Sequence, residues 1–522
     1  MFPVKENRGR YMRKVWVVLF LISGWWGAAN AQKGRQAAGG PGCEQLSPQE
    51  CVGLAMQAMG GREKLEQLKS VRLQTISHQL LMEQSYRQAP FITSYERGTV
   101  TLDLAGERVL TQAKTTWPES DLNQADSDIT VIVGPEGGVY HSPGGDSPCG
   151  LGTQDAARER LALGPERVLL TAEHAPDLHF EVPETVRESS HVVVAFAWKH
   201  VPVRVLINPF NHLPDAVETT QEFRDFWYFW GDVQQRIYFD NWKLAGGISF
   251  PTNMVEERNG VVWSSEQALN VEFNITIEDK DFTMGAAAAK QSAALVGWQA
   301  PFRGKTDTVL APGIDFFPGS WNSTIVKEPD GVVILEAPIS GHYTQGVIEE
   351  ARKRYPGVPI TAVLSTSDSW PHTGGVRDAV AEGLPVFILD LNRPLLDRMV
   401  SAPHALNPDA LQKLKGAKEP NWRIVAGRQE IGSGANRMEL YPLRGASTER
   451  QYMVFFPEQH LLYASDTLAL NDDGSLYDPE LMNEVAQAVM REKLTVEKVY
   501  AMHQGPVEWD KVLALIEKAR RA

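Results

Sequence analysis

Cysteine is scarce in this chain: 522 residues hold three, Cys43, Cys51 and Cys149. None has the spacing of a metal-binding pair, so no metal chemistry falls to them. In an oxidising compartment Cys43 and Cys51 would close a small loop and leave Cys149 unpaired; otherwise all three are unpaired thiols. Positive charge is short as well. With 51 Lys and Arg against 65 Asp and Glu the net charge is −14, and no long basic run breaks it. A phosphate backbone would be repelled, which excludes a nucleic-acid partner. Long apolar runs are missing, except VWVVLFLISGWW near the start. That run is too short to cross a bilayer comfortably. There is no internal repeat, so a repeat architecture is excluded.

The one apolar run has a context. Lys5, Arg8, Arg10, Arg13 and Lys14 precede it, and Ala29 and Ala31 hold the small positions before Gln32. This is the pattern of a secretory signal peptide over residues 1–31, which predicts a periplasmic or secreted protein with no stable membrane-spanning segment after cleavage. Met12 is an alternative start. The competing reading is an uncleaved N-terminal anchor.

Hydrophobic content of 43% and charged content of 22% are those of ordinary globular protein. The length exceeds one ordinary core, so two or three domains are expected. Ser47 and Glu50 form a capping box before a helix that Gly60-Gly61 stops. From Val71 to about Asn274 the pattern is that of strands, with Asn259-Gly260 as a hairpin turn and one helical insertion, TQDAARERLALGPERVLL. The aromatic run EFRDFWYFWGD, Phe223 to Trp230, reads as a strand buried on both faces, or as the wall of a ligand pocket. TMGAAAAKQSAALVG reads as a linker or short helix. Beyond it strands alternate with helices, which means a sheet covered by helices.

Three residues of chemical interest follow strands in that last part. His372 follows ITAVLST, Asp466 follows HLLYAS, and His503 follows KVYAM. Side chains just past strand ends share one rim, where ligand sites gather. Two imidazoles and a carboxylate converging there suit Zn²⁺ or a related metal. The bland alternative is a set of hydrogen-bonded structural residues. His342 and His404 read as residues of surface loops or connections, and Trp370 as packing beside the site.

The order DGVVILEAP, TSDSWPHTGG, PLRGAST, FFPEQHLLYASDTL and AMHQGP resembles the metallo-β-lactamase superfamily. The resemblance runs from about Thr308 to the end and implies an α/β fold, a four-layer αββα sandwich. The family's loop reads T-H-x-H-x-D-H-x-G-G. Here Ser367 and Ser369 replace the two His of the first metal site, Pro371 replaces the Asp of the second, and only His372 survives. The family's next His, expected near Ala446 or Ser447, is absent. Asp466 matches the bridging Asp and His503 the last His. The resemblance therefore implies one Zn²⁺ or similar ion on His372, Asp466 and His503, with Asp368 as a ligand or a catalytic base. The implied activity is hydrolysis of an ester, amide, lactone or phosphoester. Residues 43–282 resemble, more loosely, a bacterial lipoprotein-carrier-like half-barrel, mainly antiparallel β with helices. That half-barrel would bind an acyl or other apolar part of a small-molecule substrate, or a protein partner. Residues 283–307 would link the two modules. The alternative is a non-catalytic envelope protein with a metal-free sandwich and a half-barrel that binds a lipid or a partner.

Overall fold

The structure is a computed structural model that describes residues 39–80, 91, 93–116, 126–297, 300–302, 304, 308–319, 321–336, 338–416 and 418–521. The signal peptide expected over residues 1–31 lies outside the described residues.

The first half of the chain builds one antiparallel sheet of thirteen strands. Six strands run in meander from Ser70–Leu80 to Ser147–Pro148; seven more run from His179–Val186 to Val261–Phe273. The last pairs with the first, so each half ends on an outer edge. The chain leaves one edge at Pro148 and enters the opposite edge at His179, and the segment between must cross a face of the sheet. That segment is the expected helical insertion, broken at Gly164-Pro165 into helices Leu151–Leu163 and Val168–Glu173. Proline ends the first helix because its ring clashes with the preceding turn. Helix Pro48–Ala58, opened by the Ser47/Glu50 capping box, packs on the same core with Val192, Val194, Phe196 and Ile248. Cys43 and Cys51 are joined as a disulfide, and Cys149 is buried and free. Asn259 and Gly260 both take positive φ, 48° and 75°, and turn the chain between Arg258 and Val261. A two-residue hairpin loop requires that conformation, and Asn-Gly adopts it at least cost.

One expectation needs correction. The aromatic run is not a strand: Tyr228–Trp230 is a single 3₁₀ turn. Winding instead of alternating sends the rings to two cores. Trp227 joins Trp263 and Val233, whereas Tyr228 and Phe229 join Ile339, Trp370 and Val376. Near residue 290 the chain forms a short helix, one of the two readings of that segment. Helix Ala286–Ala293 is docked on strand Gly137–His141, with the Ser292 hydroxyl accepting from the Gly138 N–H at 2.8 Å.

The second half builds two mixed sheets, of seven and six strands. In the first, strands Gly331–Leu335, Ile360–Ser365, Pro385–Leu389 and Asn421–Val425 run parallel. Parallel neighbours need crossovers, and helices Gly341–Arg354, Val376–Glu382 and Arg393–Ser401 supply them. In the second, Leu461–Tyr463 and Lys498–Tyr500 are parallel, joined through helix Pro479–Glu492. One core holds inward residues of both sheets, among them Val333, Leu364, Val454 and Tyr463. The outer faces are covered separately, the first by helices that contribute Val347, Val380 and Leu396. Val485 and Val512, from the last two helices, cover the second.

Candidate functional site

Four parallel strand ends meet where the two sheets face each other. Glu336 follows Gly331–Leu335, Thr366 follows Ile360–Ser365, Asp466 lies just past Leu461–Tyr463, and His503 lies just past Lys498–Tyr500. His372 stands on a single helical turn, Trp370–Thr373, after the second of these strands. Its backbone is pinned: the Ser365 hydroxyl donates to the His372 carbonyl at 2.9 Å, and the His372 N–H donates to the Ser369 carbonyl at 2.9 Å. The glycine pair after it permits close packing. A Cβ at Gly375 would collide with the Thr344 hydroxyl, and one at Gly374 with Tyr228 and the Ile339 backbone.

The three residues singled out from the sequence come together. His372 Nε2 lies 3.6 Å from Asp466 Oδ2, and His503 Nε2 lies 3.0 Å from Asp466 Oδ1. On the far side of the ring, His372 Nδ1 lies 3.0 Å from Glu336 Oε2. Glu336 is fully buried, and its Oε1 accepts from the Tyr463 hydroxyl at 3.1 Å and from the Thr366 hydroxyl. Thr366 also meets the Ser465 hydroxyl at 2.7 Å, tying the two sheets together beneath the site. Burial alone would push the His372 imidazole down, but the Glu336 and Asp466 carboxylates more than offset this and raise it to about 10. Burial opposes the charge of Asp466 too, yet the two imidazoles hold its carboxyl well below the usual range.

Glu336 is the member that sequence reasoning missed. Its one mark in the sequence is a charged residue directly after the apolar strand GVVIL, which by itself is no motif. It also takes φ of 82°, a costly conformation for a residue with a Cβ. The Glu336 N–H donates to the Leu364 carbonyl at 2.9 Å, and together with the contacts of the carboxylate this holds the residue there. Asp368 is buried and partnered in the same loop.

The other expectations resolve as follows. Where the family's missing His would fall, the Ser447 N–H donates to the Glu484 carboxylate, at 3.1 Å to Oε1. Trp370 packs beside the site, stacked on Phe226 at 4.8 Å and edge-on to Trp321 at 5.6 Å. His404 is buried against Asp409, and burial together with Arg377 pushes it down to about 4. His342 opens helix Gly341–Arg354, close enough to Asp378 to act on its charge.

A second feature lies on the large sheet. A cavity of about 550 Å³ opens between the strands and helix Leu151–Leu163. Burial pushes the Glu159 carboxyl up to about 7, with a smaller opposing pull from the Gln221 amide. A carboxyl raised in the fold binds protons that the unfolded chain has released, so stability falls as pH rises from about 4.5 through 7. Glu159→Gln should remove up to about 3 kcal/mol of that fall. Thermal melts at pH 5 and pH 8 check it: the two proteins match more closely at pH 5, and the variant is the more stable at pH 8.

No family model matches the chain, and no curated protein matches it. Solved structures with a similar arrangement include the inverting sec-alkylsulfatase Pisa1 from a Pseudomonas species, at 15% identity and a TM-score of 0.30 over 41% of this chain. The chain spans 40% of the length of that alkylsulfatase. They also include the DIM-1 metallo-β-lactamase, at 16% identity and a TM-score of 0.33 over 41% of this chain and 97% of that one. TMB-1 is similar at 14% identity and a TM-score of 0.32, over 41% and 98%.

Proposed function

We propose that the chain is an exported hydrolase of the metallo-β-lactamase type. Residues 308–522 form its αββα sandwich, residues 43–282 a half-barrel binding module, and residues 283–307 the link between them. The sandwich holds one Zn²⁺ or similar divalent ion on His372, Asp466 and His503. Two imidazoles and a carboxylate are a set that zinc accepts. The observation that carries this reading is the His372 ring. Its Nε2 is buried, has no hydrogen-bond partner among the described residues, and faces Asp466. Its Nδ1 lies 3.0 Å from Glu336 Oε2, where a carboxylate behind a ligating imidazole stands, and 3.4 Å from the Thr366 hydroxyl. Such a cation supplies Lewis acidity when bound. Glu336 orients His372, and Asp466 keeps its charge. His503, about a third exposed, is the member that solvent and substrate reach. Asp368 is the remaining carboxylate of the loop and the proposed proton acceptor. The substrate is a small ester, amide, lactone or phosphoester.

One observation favours a second reading. Among the described residues no group of three or more His, Cys, Asp or Glu side chains is spaced to hold a metal ion. The trio touches directly instead, with His503 on Asp466 at 3.0 Å. On that reading the sandwich is a scaffold, and the protein is a non-catalytic envelope binder. Activity separates the two. The mature chain, purified without chelators, is assayed on p-nitrophenyl acetate, a simple lactone and bis(p-nitrophenyl) phosphate. The hydrolase reading expects turnover of at least one, reduced roughly 10²-fold or more by Asp466→Ala. No turnover, or turnover that the substitution leaves alone, supports the scaffold.

A further inference from the structure

The cavity on the large sheet has the wrong charge for the acyl group its architecture suggests. Seven carboxylates and three guanidiniums line it. All three guanidiniums are already committed. Arg160 lies 3.0 Å from Glu266, Arg258 lies 2.7 Å from Glu256 and 2.8 Å from Asp225, and Arg224 lies 2.6 Å from Asp155. Three of the carboxylates, Glu96, Glu159 and Glu222, form no ion pair among the described residues, and both oxygens of Glu222 accept from the Asn407 amide, at 3.2 and 2.9 Å. Glu96 Oε1 accepts from the Thr115 hydroxyl at 3.2 Å, and Glu159 Oε2 accepts from the Gln221 amide at 2.9 Å. The other oxygens of Glu96 and Glu159 accept no hydrogen bond among the described residues.

Position makes these two acids significant. Glu159 is only 9% exposed and stands on the helix that roofs the cavity. Glu96 stands on the floor. Ser77 pairs with Glu96 on one side and with the ion-paired Glu266 on the other, so Glu96 and Glu266 share one face of the sheet, two strands apart. Strand spacing puts their backbones roughly 10 Å from each other. Between and around them the lining is apolar, with Val100, Val131, Ile237 and Met254. A fatty-acid carboxylate entering here would meet surplus negative charge. A neutral lipid would strip water from two carboxylates and return no hydrogen bond, which is costly. A cation on an apolar body satisfies both surfaces at once. Burial pushes the Glu159 carboxyl up despite the Gln221 amide and the charge of Arg258, and a cation placed beside it would favour the charged form.

We propose that this cavity binds an organic amine, an ammonium group on an apolar body, whose charge is received by the unpartnered oxygens of Glu159 and Glu96. The site is separate from the C-terminal trio and stands whether or not that trio holds a metal.

Calorimetric titration of the mature full-length chain at pH 8 tests this, with octylamine and octanoate as probes of equal chain length and opposite charge. Octylamine should bind saturably, one per chain, with octanoate at least ten-fold weaker. Glu159→Gln and Glu96→Gln should each weaken octylamine binding about ten-fold or more. Asp473→Asn, which removes an exposed carboxylate in the second half of the chain, should leave it unchanged. The two glutamates lie on different elements, so one variant still decides if circular dichroism shows the other to be misfolded. Octanoate binding as tightly as octylamine would overturn the proposal in favour of an acyl cavity. Octylamine affinity unmoved by both glutamine variants, or lowered equally by Asp473→Asn, would reduce it to general attraction of cations to an acidic protein.

Discussion

His372→Ala should lower the stability of the folded protein by about 3–5 kcal/mol, because it strands a buried charge. Glu336 is fully buried, and its one cationic neighbour among the described residues is the His372 ring at 3.0 Å. Tyr463 and Thr366 donate hydrogen bonds to the carboxylate but bring no charge. Without the ring, the buried Glu336 side chain loses its oppositely charged neighbour, which is expensive. The pair is therefore coupled. Glu336→Gln in the same chain should return much of the loss, because the amide keeps the shape and removes the charge. Chemical denaturation of the wild type, both single variants and the double variant measures the coupling. Chelator in all four samples removes any contribution from a bound cation. A coupling of more than about 1 kcal/mol is expected. Strict additivity would mean that the two groups do not depend on each other.

Trp227→Ala should cost a similar amount, about 3–5 kcal/mol, for a different reason. Trp227 is 3% exposed and meets Trp263 edge-on at 5.6 Å. The Arg258 guanidinium lies 4.6 Å from the Trp263 ring and 3.9 Å from that of Phe223, so the cluster holds a buried charge among aromatic faces. Truncation leaves a cavity beside that charge. The next ring back, Phe226, faces the other way and stacks on Trp370, beside His372. Trp227 thus anchors to the large sheet a segment whose neighbour braces the site loop. Thermal unfolding of Trp227→Ala and Phe226→Ala should show the larger loss in the former. A change below about 1 kcal/mol for Trp227→Ala would show that its cluster collapses without cost.

The C-terminal site was legible because it depends on chain order. A strand end brings its next residue to a rim wherever strands are parallel, and His372, Asp466 and His503 each follow such a strand. Local chemistry was legible too: Asn259-Gly260 turned, and Ser47 with Glu50 capped. What the sequence hid was direction. In EFRDFWYFWGD a strand and a 3₁₀ turn both bury every ring, and composition does not say which cores receive them. Glu336 was hidden because a carboxylate after an apolar strand has no motif; only the fold supplies its imidazole. The cavity was hidden further still. Glu96 and Glu159 lie on a strand and on a crossing helix, and that both line one cavity follows from the thirteen-strand order, which no local pattern encodes.

The central claim is that two imidazoles and a carboxylate at the meeting of two sheets take one cation. Elemental analysis of the untagged mature chain, purified without chelators, tests it against Asp466→Ala prepared in parallel. About one divalent ion per wild-type chain, with none retained by the variant, is the predicted result. Equal metal in the two proteins, or none in either, would contradict the claim and leave His372, Asp466 and His503 as a hydrogen-bonded brace between the sheets.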